Sequence, residues 1–162
     1  VVAHALFSDA AAAIVVEPGA GGGRRLAGVV ARTDTSTADH MTWDVTDLGF
    51  RMGLSPRVPD VLSRHVGGVV EELLTGAGLR IEDVAGWAVH PGGPRILDVV
   101  RDELGLAEEQ MAASRRVLAE HGNCSSATVL LVLQELADVE GPVVAMAFGP
   151  GLTLYAALLM PA

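Results

Sequence analysis

The stretch Trp87-Ala88-Val89-His90-Pro91-Gly92-Gly93-Pro94-Arg95-Ile96-Leu97-Asp98 decides the fold. Residues 84–89 are an apolar run of strand length. His90-Pro91-Gly92-Gly93 ends the run, and Pro94 suits the first turn of a helix. Ile96, Leu97, Val100 and Leu104 then recur at helical spacing and are expected to face inward. A strand feeding a helix through a tight turn is the building unit of a layered α/β fold. In such folds ligands meet the sheet at strand ends, and His90 stands at one. Adjacent glycines let a backbone approach something bulky, and the prolines fix the turn. A lone histidine is more often structural, but this turn is specialised, so local features leave both readings of His90 open.

Downstream, residues 108–120 read as a helix carrying Met111, Val117 and Leu118 and stopping at Gly122. Residues 125–137 read as another. Its 129–133 stretch is apolar on every side, which predicts burial on all faces. Ser125 or Ser126 is the expected cap. Residues 143–148 and 152–159 read as strands joined by Gly149-Pro150-Gly151. Upstream, residues 59–74 give the clearest helix. Val58, Val61, Leu62, Val66, Val69, Val70, Leu73 and Leu74 form one stripe, with Pro59 in the first turn and Gly76 and Gly78 ending it. Glu71 and Glu72 lie off the stripe, as on a solvated face. Residues 10–16 are expected as a buried strand, making a hairpin with 26–31 through a Gly-rich turn at 18–23. No Gly-Lys-Ser/Thr follows that run, so it does not match a phosphate loop. Residues 33–47 read as a polar surface segment, with Met41 and Trp43 as exceptions.

The 162 residues suit one domain. Eleven arginines and no lysine stand against 20 acidic residues, for a net charge of −9. That balance lacks the basic footprint of a nucleic-acid binder. The single cysteine excludes an internal disulfide and a Cys-rich zinc site. His4, His40, His65 and His121 show no metal-ligand spacing, so no metal is expected. No apolar run reaches membrane-span length and no signal peptide is visible, which points to the cytoplasm. The chain starts at Val1 and runs directly into Ala5-Leu6-Phe7, as a processed or excised piece would.

Gly122-Asn123-Cys124-Ser125-Ser126 precedes the most apolar helix and holds the only asparagine. A carboxamide near a helix N-terminus can stabilise an oxyanion, especially beside an imidazole. Taken alone, the motif favours a helix cap. Cys124 at a helix start invites a nucleophile reading, yet a single cysteine is more often a small buried apolar residue.

Four ordered segments carry a resemblance. They are Ala5-Leu6-Phe7-Ser8-Asp9 with the alanines at 10–13, the 87–98 stretch, Gly122-Asn123-Cys124-Ser125-Ser126-Ala127, and Phe148-Gly149-Pro150-Gly151-Leu152-Thr153. In order and spacing they resemble the type III polyketide synthases, the chalcone and stilbene synthase family of the thiolase-like fold. The resemblance implies the C-terminal half of that fold, a mixed sheet with a buried central helix. Residues 1–32 would be the final strands of the N-terminal half, and 33–162 the C-terminal domain. It implies a decarboxylative Claisen condensation of malonyl-CoA onto a CoA-linked acyl starter, with no cofactor beyond those thioesters. His90 and Asn123 match the family's catalytic His and Asn, which would hold the enolate oxyanion. His90 as a cation would also favour a thiolate.

The nucleophilic cysteine of the family lies upstream of every segment here, and Cys124 aligns to a different position. The chain alone is therefore expected to be inactive, needing a missing N-terminal half, and the intact enzyme is expected to be a homodimer. Met52 falls at a gatekeeper position, where a flexible thioether would suit a long acyl chain; a plain core role is the alternative. Trp43, Ser125 and Phe148 would line the same cavity. Gly92, Gly93 and Arg95 would lie near the pantetheine arm, and Arg95 could meet a phosphate or equally be a surface charge. A ketoacyl-acyl-carrier-protein synthase half is similar, but its His is followed by Gln-Ala-Asn; Pro-Gly-Gly-Pro and Phe-Gly-Pro-Gly decide against it. A non-catalytic interaction or folding fragment is the reading from another class.

Overall fold

A computed structural model describes residues 5–18 and 22–162. Its centre is a four-stranded mixed sheet in the order β1-β6-β5-β4. The strands are β1 (Arg24–Thr33), β4 (Gly86–Val89), β5 (Val143–Gly149) and β6 (Thr153–Pro161). The β4–β5 pair is parallel, whereas β6 runs antiparallel to both β5 and β1. β1 pairs with β6 from Arg24 opposite Pro161 to Thr33 opposite Thr153, so residues on both sides of position 32 share one sheet.

Helices cover both faces. α1 (Val58–Thr75) and α2 (Pro94–Leu104) pack on one side, where Trp87, Val89, Val144, Met146, Leu154 and Leu158 join their core. α3 (Ala112–His121) and α4 (Ser126–Glu135) pack on the other, around Ala88, Val117, Val132 and Val143. Consecutive strand residues alternate between these two cores, as the pleat requires. All eight residues of the predicted α1 stripe are buried. Each such side chain contributes roughly 1.5–3 kcal/mol against exposure. The inward set predicted for α2 (Ile96, Leu97, Val100 and Leu104) is buried as well.

Several expectations change. Residues 10–16 form no strand, and Ile14, Val15 and Val16 are exposed. An apolar run becomes a strand only beside a partner, and β1 pairs with β6 alone among the described residues. The expected hairpin with 26–31 is therefore absent; part of its turn, 19–21, lies outside the described residues. The supposed surface segment 33–47 instead holds a short 3-10 turn (Thr35–Thr37) and a strand, β2 (Met41–Thr46). β2 pairs with β3 (Gly49–Leu54), placing Met41 opposite Leu54 and Trp43 opposite Met52. The alternation Met41, Trp43, Val45 was the available signal, masked by the polar residues between them.

α4 is not buried on every face. Only Thr128 and Val132 are fully covered, and Val129, Leu130, Leu131 and Leu133 remain partly open, because described elements pack against one side only. The third predicted helix splits into a 3-10 turn (Glu108–Met111) and α3.

One cation ties the first strand to the loop that ends α4. The Arg24 guanidinium donates to the carbonyls of Gly141 (2.9 Å) and Leu136 (3.3 Å), and also to that of Val139. Charged donors satisfy such carbonyls for about 1.5–3 kcal/mol. Arg24→Ala is expected to lower the unfolding free energy by about that amount in urea titration, with Arg24→Lys recovering only part, since an ammonium cannot span the fork.

Candidate active site

The parallel strands β4 and β5 end side by side. His90 follows β4 and extends the ladder by donating its N–H to Met146 O at 2.8 Å. Phe148 and Gly149 occupy the same end of β5. The Pro91–Pro94 turn then leads into α2. Gly92 N–H donates to His90 O (2.9 Å), closing the turn. A Cβ at Gly92 would lie 3.9 Å from His90 Nε2, so this glycine leaves the ring edge uncovered.

Asn123 reaches the same place from the turn between α3 and α4. It is 4 % exposed. Its N–H donates to Leu6 O (2.8 Å), and its carbonyl accepts from Ser8 N–H (3.0 Å). These two bonds form a parallel bridge with Phe7. The side-chain Oδ1 accepts from Ser125 N–H (2.9 Å), and Nδ2 makes a long contact to Gly92 O (3.4 Å). The side-chain nitrogen of Asn123 and Nε2 of His90 thus both lie beside Gly92.

A cavity of about 590 Å³ opens here. His90, Asn123, Gly92, Gly93, Arg95, Ser125, Phe148, Met52 and Trp43 all line it. The β2–β3 hairpin supplies one apolar wall through Met41, Trp43, Met52 and Leu54, which share a face by register. Trp43 is half exposed and meets Phe50 edge to face, with ring centroids 6.2 Å apart. Arg95 is exposed at the start of α2, 3.9 Å from Asp60. Among the described residues, no group of three or more His, Cys, Asp or Glu side chains converges as a metal site would require. No described helix is long and apolar enough to cross a membrane.

Burial is the sole cause acting on His90, and it lowers the imidazole pKa to about 4. Burial by this chain's own residues thus favours the neutral ring near pH 7. A cation here would need an anion beside it, and burial without one favours the uncharged form.

The helix cap also differs from expectation. Neither Ser125 nor Ser126 caps α4 through its side chain. The Thr128 hydroxyl instead ties down the turn before the helix: it accepts from Cys124 N–H (2.9 Å) and donates to Ser125 O (2.8 Å). Cys124 is buried, donates to His121 O (3.3 Å), and does not line the cavity. Sequence reasoning missed Thr128 and gave Phe7 no site role. Phe7 lines the cavity through a bridge to a residue far along the chain, which no local pattern encodes.

Comparison with known proteins agrees with this architecture. The chain is 40% identical over 161 residues to 1,3,6,8-tetrahydroxynaphthalene synthase of Streptomyces peucetius subsp. caesius, covering 93% of this chain and 42% of that one. It is 36% identical over 167 residues to 3,5-dihydroxyphenylacetyl-CoA synthase of Amycolatopsis orientalis, covering 98% and 45%. The crystal structure of the fungal type III polyketide synthase ORAS superposes with a TM-score of 0.82 at 31% identity, over 90% of this chain and 43% of that one. The tetrahydroxynaphthalene synthase of Streptomyces coelicolor A3(2) gives 0.80 at 33% identity, over 88% and 42%. The chain thus spans less than half the length of these relatives. Residues 29–161 match the family described as chalcone and stilbene synthases, C-terminal domain. With that match, with relatives that are type III polyketide synthases and with the thiolase-like mixed sheet, the chain belongs to the chalcone and stilbene synthase family.

Proposed function

We propose that this chain is the C-terminal part of a type III polyketide synthase. The intact enzyme condenses malonyl-CoA, with loss of carbon dioxide, onto a CoA-linked acyl starter. The observation that carries this reading is the convergence of His90 and Asn123 beside Gly92 in one largely apolar cavity.

The chemistry follows from the donors. The thioester carbonyl of malonyl-CoA accepts one hydrogen bond from the neutral imidazole N–H of His90 and one from the Asn123 amide. Breaking the carboxylate C–C bond releases carbon dioxide and leaves its electron pair as an enolate. The two donors stabilise the oxygen on which that charge resides, and they do so in an apolar surrounding where such bonds are strong. The enolate carbon then attacks an acyl thioester, forming a C–C bond and expelling a thiolate. The cysteine that carries the acyl group comes from the N-terminal half, outside this chain, so the chain alone is inactive. An anion of that kind beside His90 would restore part of the imidazole's basicity.

The remaining residues shape and anchor. Met52, Trp43 and Phe148 hold the growing acyl chain, and Ser125 lines the same space. Gly92 and Gly93 admit the pantetheine arm, and Arg95 meets a phosphate at the mouth. No further cofactor is needed. The enzyme works as a cytoplasmic homodimer.

Asn123→Ala in the intact enzyme is expected to slow malonyl-CoA decarboxylation by about 10²–10³, the usual loss for one oxyanion donor. An unchanged rate would remove the role given to Asn123. For the acid–base state, His90 in this chain should titrate with a midpoint near 4 by NMR. Because the unfolded imidazole binds its proton near 6.5, the unfolded state takes up more protons across that window. Stability is therefore complete above about pH 6.5 and falls as the pH drops towards 4, by about 2 kcal/mol at pH 5. His90→Gln should flatten that part of the profile in denaturant titrations at stepped pH.

A further inference from the structure

Ser125 is the only described non-glycine residue with a positive φ, at φ 57° and ψ −130°. L-residues occupy such conformations at a cost of order 1–3 kcal/mol, and glycine occupies them freely. The strain is sustained by its surroundings. Thr128, fully buried, accepts from the N–H of Cys124 just before it and donates to the carbonyl of Ser125 itself. Thr128 N–H also donates to that carbonyl (3.1 Å). With the corner so held, Ser125 N–H points back at Asn123 Oδ1, 2.9 Å away.

That contact decides which way the Asn123 amide faces. A carboxamide flipped by 180° exchanges an acceptor for a donor at almost no steric cost. Here the backbone of Asn123 is immobilised by Leu6 O and Ser8 N–H, which fixes the side-chain origin but not its terminal torsion. Ser125 N–H can only be met by an oxygen. It therefore pins Oδ1 on the protein side and turns the NH₂ towards Gly92 and the cavity, where one long contact leaves donor capacity free. A flipped amide would set N–H against N–H and present an acceptor lone pair to the substrate oxygen.

We propose that Ser125 is a positioning residue that acts through its backbone N–H, not its hydroxyl, and that its strained corner exists to lock the Asn123 amide with the NH₂ towards the cavity. This goes beyond lining the pocket and rests on the reading of Asn123 as an oxyanion donor. Glycine at this position keeps the N–H and releases the strain. A β-branched side chain adds strain and drives the corner out of register.

Three variants of the full-length enzyme test it: Ser125→Gly, Ser125→Ala and Ser125→Val. Gly and Ala both keep the backbone N–H, so each is expected to lose at least about fivefold less kcat for malonyl-CoA decarboxylation than Val, any loss they share reporting the side chain's place in the cavity wall, and Gly is expected to raise Tm. Val is expected to lower kcat by tenfold or more with KM nearly unchanged. The Asn123 side-chain NH₂ resonances, identified by their loss in Asn123→Asp, should stay well dispersed in Ser125→Gly and move towards free-amide positions in Ser125→Val. A loss of kcat in both Gly and Ala as large as that in Val, each folded, would show the hydroxyl to be the working group and overturn the proposal. Unmoved Asn123 amide resonances in a folded Val variant would also overturn it. If the unmutated enzyme fails to decarboxylate malonyl-CoA, the functional reading falls, while the amide resonances still report on the lock.

Discussion

The parallel pairing of β4 with β5 governs the placement of the site. Parallel strands cannot be joined by a hairpin, so the chain must leave the sheet and return through a crossover. That crossover carries α2, α3 and α4. It starts at His90, held to Met146 by the last bond of the ladder, and passes through Asn123 before the chain re-enters as β5. His90 and Asn123 therefore belong to one excursion between two neighbouring strands. The excursion is 33 positions long between them, yet it brings both back to Gly92. The carboxyl ends of β4 and β5 supply further lining, His90 from one and Phe148 from the other.

Rigidity at Asn123 comes from contacts that differ in kind. The Leu6–Ser8 segment fixes its backbone from outside the crossover, and Ser125 fixes its side chain from within. The strain at Ser125 is offset by a buried threonine whose single hydroxyl satisfies two backbone groups. Both ends of Asn123 are thus held by hydrogen bonds to main-chain groups. The apolar wall opposite, built by the β2–β3 hairpin, imposes no comparable order on what it would contact. Its outer residues Val45 and Phe50 are exposed, and Met41 and Met52 bring flexible side chains to the cavity.

The exposed apolar surfaces are consistent with a chain that spans less than half of its relatives. Val15 and Val16 stand almost fully open, and α4 presents four partly covered apolar residues on a helix whose composition anticipated full burial. Composition reports how much surface a segment needs covered, but not which chain does the covering. The α1 stripe finds its cover in β1, β6 and α2 of the same chain, whereas α4 and residues 10–16 keep apolar surface open.

What the sequence determined by itself was periodic or punctuated. The α1 and α2 stripes, the Pro94 helix start and the strands at the C-terminus follow from side-chain spacing and from proline and glycine geometry, which act over a few residues. The motif segments also made the family legible, and they singled out His90 and Asn123, which line one cavity. What only the tertiary structure decided depends on groups brought together from far apart. Phe7 meets Asn123, Arg24 meets the carbonyls after α4, and β2 becomes a strand because β3 returns beside it. The protonation of His90 belongs to the same class, because desolvation is a property of the packed surroundings and not of the residue. So does the orientation of the Asn123 amide, set by one backbone N–H whose direction exists only once the corner at Ser125 has formed.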